Sequence, residues 1–183
     1  MRQLELLFGP GFQEPEQEPY RIMNVQAPAI VPPVDGRQSQ TALKIARGTA
    51  RLLHAHGYCV VGELPLPSGR RADLVALGHD GEIWIVEIKS SIADFRADQK
   101  WMDYRMHCDR LFFATSVEVP CEIFPPDTGL IVADAFGAQI VCEAPEHRLH
   151  AATRKSMTLR IARAAALRLQ SLIDPTGPYA GEL

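Results

Sequence analysis

Between Arg71 and Ser91 the chain reads RRADLVAL, then Gly78-His79-Asp80-Gly81, then EIWIVEIKSS. The pattern is a β-hairpin whose second strand is apolar on both faces until it ends in a carboxylate and an ammonium, Glu87 and Lys89. Side chains alternate along a strand, so Ile83, Ile85, Glu87 and Lys89 share one face and Trp84, Val86 and Ile88 the other. A strand apolar on both faces lies inside a sheet. Charges at its end need a partner, a hydrated cleft or a metal. An ordinary Glu/Lys pair emerging into solvent is the plain alternative.

Asp73 decides between these readings through the parity of the turn. Directly opposed residues of an antiparallel pair point to one face. A two-residue Asp80-Gly81 loop sets Asp73 opposite Ile88, on the wrong face. A three-residue loop, His79-Asp80-Gly81, pairs Gly78 with Glu82 and sets Asp73 opposite Glu87. That loop needs a residue in the left-handed conformation at its third position, and Gly81 stands there. The expectation is therefore a three-residue loop, with Asp73, Glu87 and Lys89 converging at one end of the sheet.

The rest of the chain supplies a frame. Residues 1–37 hold Pro10, Pro15, Pro19, Pro28, Pro32 and Pro33 and read as an irregular or disordered arm. Residues 38–175 read as one domain, and 176–183 as a short tail. A first helix is expected from Ser39, its N-cap, to about His56, with Gly57 past its end. Ala42, Leu43, Ala46, Ala50 and Leu53 form its apolar stripe, and Lys44, Arg47 and Arg51 lie off it on a solvated face. Strands follow at Tyr58–Leu64, Arg71–Leu77 and Glu82–Lys89. A second helix runs from about Ile92 or Asp94 to His107 with Phe95, Met102 and Met106 on its buried side and Trp101 or Tyr104 flanking them. Strands at Arg110–Thr115, Gly129–Ala133 and Gln139–Cys142 come next. A long helix from about Glu146 to Ile173 packs through Leu149, Ala152, Met157, Ile161, Ala165, Leu169 and Leu172, and is otherwise basic. The order is helix, three strands, helix, strand, then an extension: an α/β architecture with a mixed central sheet flanked by helices.

Net charge is −3, from 19 Lys and Arg against 22 Asp and Glu, which argues against indiscriminate polyanion binding by the whole molecule. Four scattered cysteines form no Cys-x-x-Cys pair, so neither a zinc ribbon nor a redox motif is indicated. No apolar run approaches the ~20 residues of a membrane span. The opening MRQLELLFGPGF is too short and interrupted for a secretory signal, and a cytoplasmic location without membrane contact is expected.

This αβββαβ order, with Asp73 on the second strand and Glu87-Ile88-Lys89 on the third, resembles the restriction-endonuclease-like PD-(D/E)XK nuclease superfamily. The runs VEIKSS, DFRADQKW, CDRLFFAT and SMTLRIARAAALRL resemble, more narrowly, the MmcB family of bacterial DNA repair proteins. The resemblance implies a metal-dependent endonuclease site acting on DNA alongside repair proteins, or a nuclease-fold scaffold that binds DNA without cutting it. It assigns Asp73, Glu87 and Lys89 as catalytic. Mg²⁺ (or Mn²⁺) would be held by Asp73, Glu87 and the Ile88 carbonyl, two carboxylates and a carbonyl being enough for an ion that keeps several waters. Glu63 is a further ligand or a solvated edge residue. Arg71, Arg96, Lys100, Arg154, Lys155, Arg160 and Arg163 are the candidate DNA contacts. Ala72 stands where the motif has Pro, and the first helix offers no carboxylate. Lys100 precedes Tyr104 at the spacing of a Gln-x-x-x-Tyr motif of related nucleases, with Gln99 one residue off.

Overall fold

The computed structural model describes residues 39–98 and 100–177, so the arm at 1–37, Gln99 and all but the first two residues of the 176–183 tail lie outside the described residues. Helix α1 (Gln40–Ala55) leads into β1 (Cys59–Pro65), β2 (Arg71–Leu77) and β3 (Ile83–Lys89). Two short helices, α2 (Ile92–Ala97) and α3 (Met102–Arg105), precede β4 (Arg110–Thr115). A 3-10 turn (Cys121–Ile123), β5 (Gly129–Ala133), β6 (Ala138–Cys142) and the long α4 (Ala151–Ile173) follow. The αβββαβ order expected from the sequence is present.

The six strands form one mixed sheet in the order β1-β2-β3-β4-β5-β6. β1, β2 and β3 are antiparallel neighbours, β3, β4 and β5 run parallel, and β6 returns antiparallel. Every residue of β3 is buried, as its two apolar faces require. On one face Leu74, Trp84, Val86, Phe112 and Ile131 pack with Ile45 and Leu53 of α1. On the other, Val75, Ile83, Ile85 and Leu111 pack with Met157, Ile161 and Ala164 of α4. Phe113, Phe124 and Leu130 extend the second face as an aromatic cluster that takes in Phe95 and Trp101.

The hairpin has the three-residue loop. Leu77 pairs with Ile83 and Leu74 with Val86, the register that carries Asp73 opposite Glu87. Gly78 N–H donates to the Glu82 carbonyl at 2.8 Å, and Gly81 has φ +85°. A side chain at that φ is strained, so the glycine fixes the parity of both strands.

Three expectations for the helices are corrected. The second helix is interrupted: Asp98 is extended (φ −94°, ψ 92°), and its carboxylate accepts from the Lys100 N–H at 3.0 Å. Re-phasing after the break leaves Met102 and Met106 63% and 73% exposed and buries Tyr104 instead. The last helix starts at Ala151 rather than Glu146, because Asp109 ties down the chain before it. Asp109 accepts from the Leu149 N–H at 2.9 Å, and its own carbonyl accepts from the His147 N–H. Within α4, Ala152, Ala165, Leu169 and Leu172 are exposed and Ala164 packs in their place.

Candidate active site at the end of the hairpin

Paired register between β2 and β3 ends at Leu74 and Val86. Beyond it, the carboxylates bond to the facing strand. The Ile88 N–H donates to Asp73 Oδ2 at 2.7 Å, and the Asp73 N–H donates to Glu87 Oε1 at 3.2 Å. The strand end therefore holds two carboxylates side by side, reached from a cleft of about 540 Å³. Ser39 and Ala42 of the first turn of α1, Arg70, Arg71, Lys89, Asp98, Lys100 and Tyr104 also line that cleft.

Glu87 is 3% exposed and Lys89 5%. Burial pushes the Asp73 carboxyl up from 3.8 to about 6, with the neighbouring Glu63 adding to the rise and the Ile88 N–H opposing it. Burial, and then the Asp73 charge, raise Glu87 well above the ordinary carboxylate range. Two acids held this close and this dry favour a cation between them. Burial alone would lower Lys89, but its contact with Asp98 at 2.6 Å and the charges of Glu87 and Asp73 outweigh that and hold the ammonium protonated. Asp98 is lowered in turn: the Lys89 and Lys100 hydrogen bonds overcome its own partial burial. Thr115 Oγ1 donates to the Lys89 carbonyl at 2.7 Å and anchors the strand end to β4. The Tyr104 hydroxyl is pushed up by burial and by Glu87, Asp98 and Asp73, so it stays a donor beside the acids.

The structure brings together Asp73, Glu87, the Ile88 backbone, Lys89, Arg71 and Lys100. Glu63 lies close enough to raise Asp73, yet its carboxylate is 2.5 Å from Arg71 Nε and it does not line the cleft. It occupies the left-handed region at φ +48°, and Arg168 donates to its carbonyl and that of Gly62. Arg96 sits on α2 and is exposed.

The α4 residues fare differently. Arg154 makes a two-pronged ion pair with Asp109, both contacts 2.7 Å, and donates to the Gly81 carbonyl at 2.6 Å. It fastens the hairpin tip, at the opposite end of β3 from Lys89. Arg160 donates to the Pro65 carbonyl, while Lys155 and Arg163 are exposed. Asp98 was missed in the sequence. At helical spacing it reads as one more solvated acid.

Among the described residues no group of three Asp, Glu, His or Cys side chains stands close enough to hold a metal. Two carboxylates do meet, and an oxygen-only donor set suits Mg²⁺ or Mn²⁺, which keep much of their water. No described helix is long and apolar enough to cross a membrane.

The chain shares 48% identity with a solved protein of unknown function from Silicibacter pomeroyi, with a TM-score of 0.73 over 76% of this chain and 96% of that one. No curated protein matches it. The family profile for "DNA repair protein MmcB-like" matches residues 29–176, most of the sequence and all of the cleft. The chain therefore belongs to the MmcB-like family of DNA repair proteins.

Proposed function

We propose that the cleft is a divalent-metal-dependent phosphodiesterase site of the PD-(D/E)XK type, cutting DNA during repair. The observation that carries this is the convergence of Asp73, Glu87 and Lys89, two acids and a buried ammonium, at the end of a strand that is otherwise apolar throughout. Asp73, Glu87 and the Ile88 carbonyl would hold Mg²⁺ or Mn²⁺, which when bound offsets charge on the scissile phosphate and acidifies a water. Asp98 keeps Lys89 charged and aimed along the cleft wall, where it offsets negative charge as water adds to phosphorus and the P–O bond to the leaving oxygen breaks. Tyr104, whose hydroxyl donates to the Arg71 carbonyl at 3.4 Å, lines the cleft beside the acids. Arg71 and Lys100 on the rim suit the flanking phosphates.

The test is nicking of single-stranded, duplex, flapped and cross-linked DNA with Mg²⁺ or Mn²⁺. Wild type should cut at least one substrate, and Asp73→Ala and Glu87→Ala should cut none while staying folded. Absence of cleavage on the whole panel with either metal argues for the second reading, a nuclease-fold scaffold that binds DNA for repair partners. The first helix, which lines the cleft with Ser39 and Ala42 but brings no carboxylate to it, favours that reading. A scaffold would keep damage survival with Asp73→Ala.

A further inference from the structure

Helix α1 carries Lys44, Arg47 and Arg51 at spacings of three and four and no acidic residue, so these cations share one exposed stripe. The first turn of α1 lines the cleft through Ser39 and Ala42, and the stripe begins at Lys44, less than two turns beyond Ser39 on the outer side of the same helix. It ends at the β5–β6 turn. Arg51 donates to the Phe136 carbonyl at 2.9 Å. Gly48 lets the turn close on the helix: a Cβ there would stand 2.2 Å from the Asp134 carbonyl oxygen and 2.4 Å from that of Gly137. Within the turn, Asp134 Oδ1 accepts from the Phe136 and Gly137 N–H groups at 2.7 and 2.9 Å, so the turn's one nearby acid is engaged. The turn so held displays Phe136, 81% exposed, to solvent.

Lys89 is level with Thr115, and Thr115 with Val132, so the turn after β5 leaves the sheet at the same end as the cleft. Two strand spacings, about 10 Å, separate β3 from β5. A basic stripe on the outer side of a helix whose first turn lines the cleft, leading to an exposed aromatic ring, matches what a single nucleic-acid strand needs: cations for its phosphates and a face for an unstacked base.

We infer that the α1 stripe and Phe136 form a binding track for single-stranded nucleic acid, with Phe136 stacking on a base and Lys44 and Arg47 meeting phosphates on the way to the cleft. The inference rests on the DNA-processing reading of the cleft for the polymer's identity, so it is tested without metal. Fluorescence anisotropy in EDTA would compare a labelled oligo-dT with a duplex of equal length. Phe136→Ala should weaken oligo-dT binding at least about fivefold, the loss of one stacked base, and leave duplex binding within about twofold. Phe136→Trp should keep the affinity. Arg47→Gln should flatten the slope of log K against log salt by about 0.7 for the single strand. Unchanged oligo-dT binding by Phe136→Ala, equal losses on both polymers, or a Phe136-dependent self-association without oligonucleotide binding would each overturn it. Phe136-dependent binding without any cleavage would sink the nuclease reading alone. Cleavage indifferent to Phe136, with oligo-dT binding unchanged, would sink this one alone.

Discussion

Replacing Asp73 by Asn should make the protein more stable. In the unfolded chain the carboxyl ionises at 3.8, in the fold only at about 6, chiefly because it is buried. A carboxyl whose folded value is raised penalises the fold as pH rises from the lower value through the higher. At about 1.36 kcal/mol per tenfold, the ionised folded state carries a penalty of about 3 kcal/mol at pH 8, about half that at pH 5, and little by pH 4. Asparagine cannot ionise, and its side-chain oxygen can still accept from the Ile88 N–H. The figure is an upper bound, because Glu87 shares the same space and can take up part of the proton. Urea unfolding of wild type and Asp73→Asn in EDTA at pH 8, 5 and 4 measures it. The expected result is a gain for the variant of about 2–3 kcal/mol at pH 8 that shrinks as the pH falls. Equal stability at pH 8, or a gain that does not change with pH, would refute the claim that the acids are held apart from water at the cost of stability. Mg²⁺ should then stabilise wild type and not the variant.

Other consequences are as direct. Asp109→Ala removes one partner of a buried pair and leaves the Ile83 and Leu149 amides short of an acceptor, so unfolding free energy should drop by about 3–5 kcal/mol. Burial would raise Asp109, but its bonds to Arg154, Leu149 and Ile83 win and lower it. Its stabilisation is therefore complete above the unfolded pKa and lost as pH falls through the lower folded value, and Asp109→Asn should flatten the acid limb of a stability–pH curve. Gly81→Val forces a branched side chain into the left-handed region and should destabilise by about 1–2 kcal/mol in urea titration. Asp98→Asn should slow cleavage about tenfold or more without changing metal affinity, since it removes a charge-assisted bond to Lys89; unchanged cleavage would deny Asp98 its positioning role.

The hairpin was legible in the sequence because strand alternation has a period of two, and a single glycine fixes which residues share a face. Asp73 and Glu87 could thus be set side by side from parity alone. The α1 boundaries were equally legible: Ser39 caps with its hydroxyl, accepting the Ala42 N–H, and Gly57 at φ +84° follows the end. The broken helix was not, because helical periodicity places Asp98 on a polar side whether it faces water or Lys89. Only the third dimension shows that Lys89 reaches across nine residues to claim it. Arg154 illustrates the same limit. A basic residue on a helix looks like a phosphate contact until a buried aspartate from another segment is found beneath it. Phe136 and the α1 cations lie more than eighty residues apart in sequence, and only the close approach at Gly48 joins them.

The central claim, that Asp73 and Glu87 form one cation site across the hairpin, is tested most directly by counting Mn²⁺ bound to metal-free protein by electron paramagnetic resonance. One Mn²⁺ per chain is expected in wild type and in Lys89→Gln, and none at the same concentration in Asp73→Asn or Glu87→Gln. Wild type that binds no Mn²⁺, or a Glu87→Gln variant that binds it as wild type does, would mean that the two carboxylates do not form a cation site.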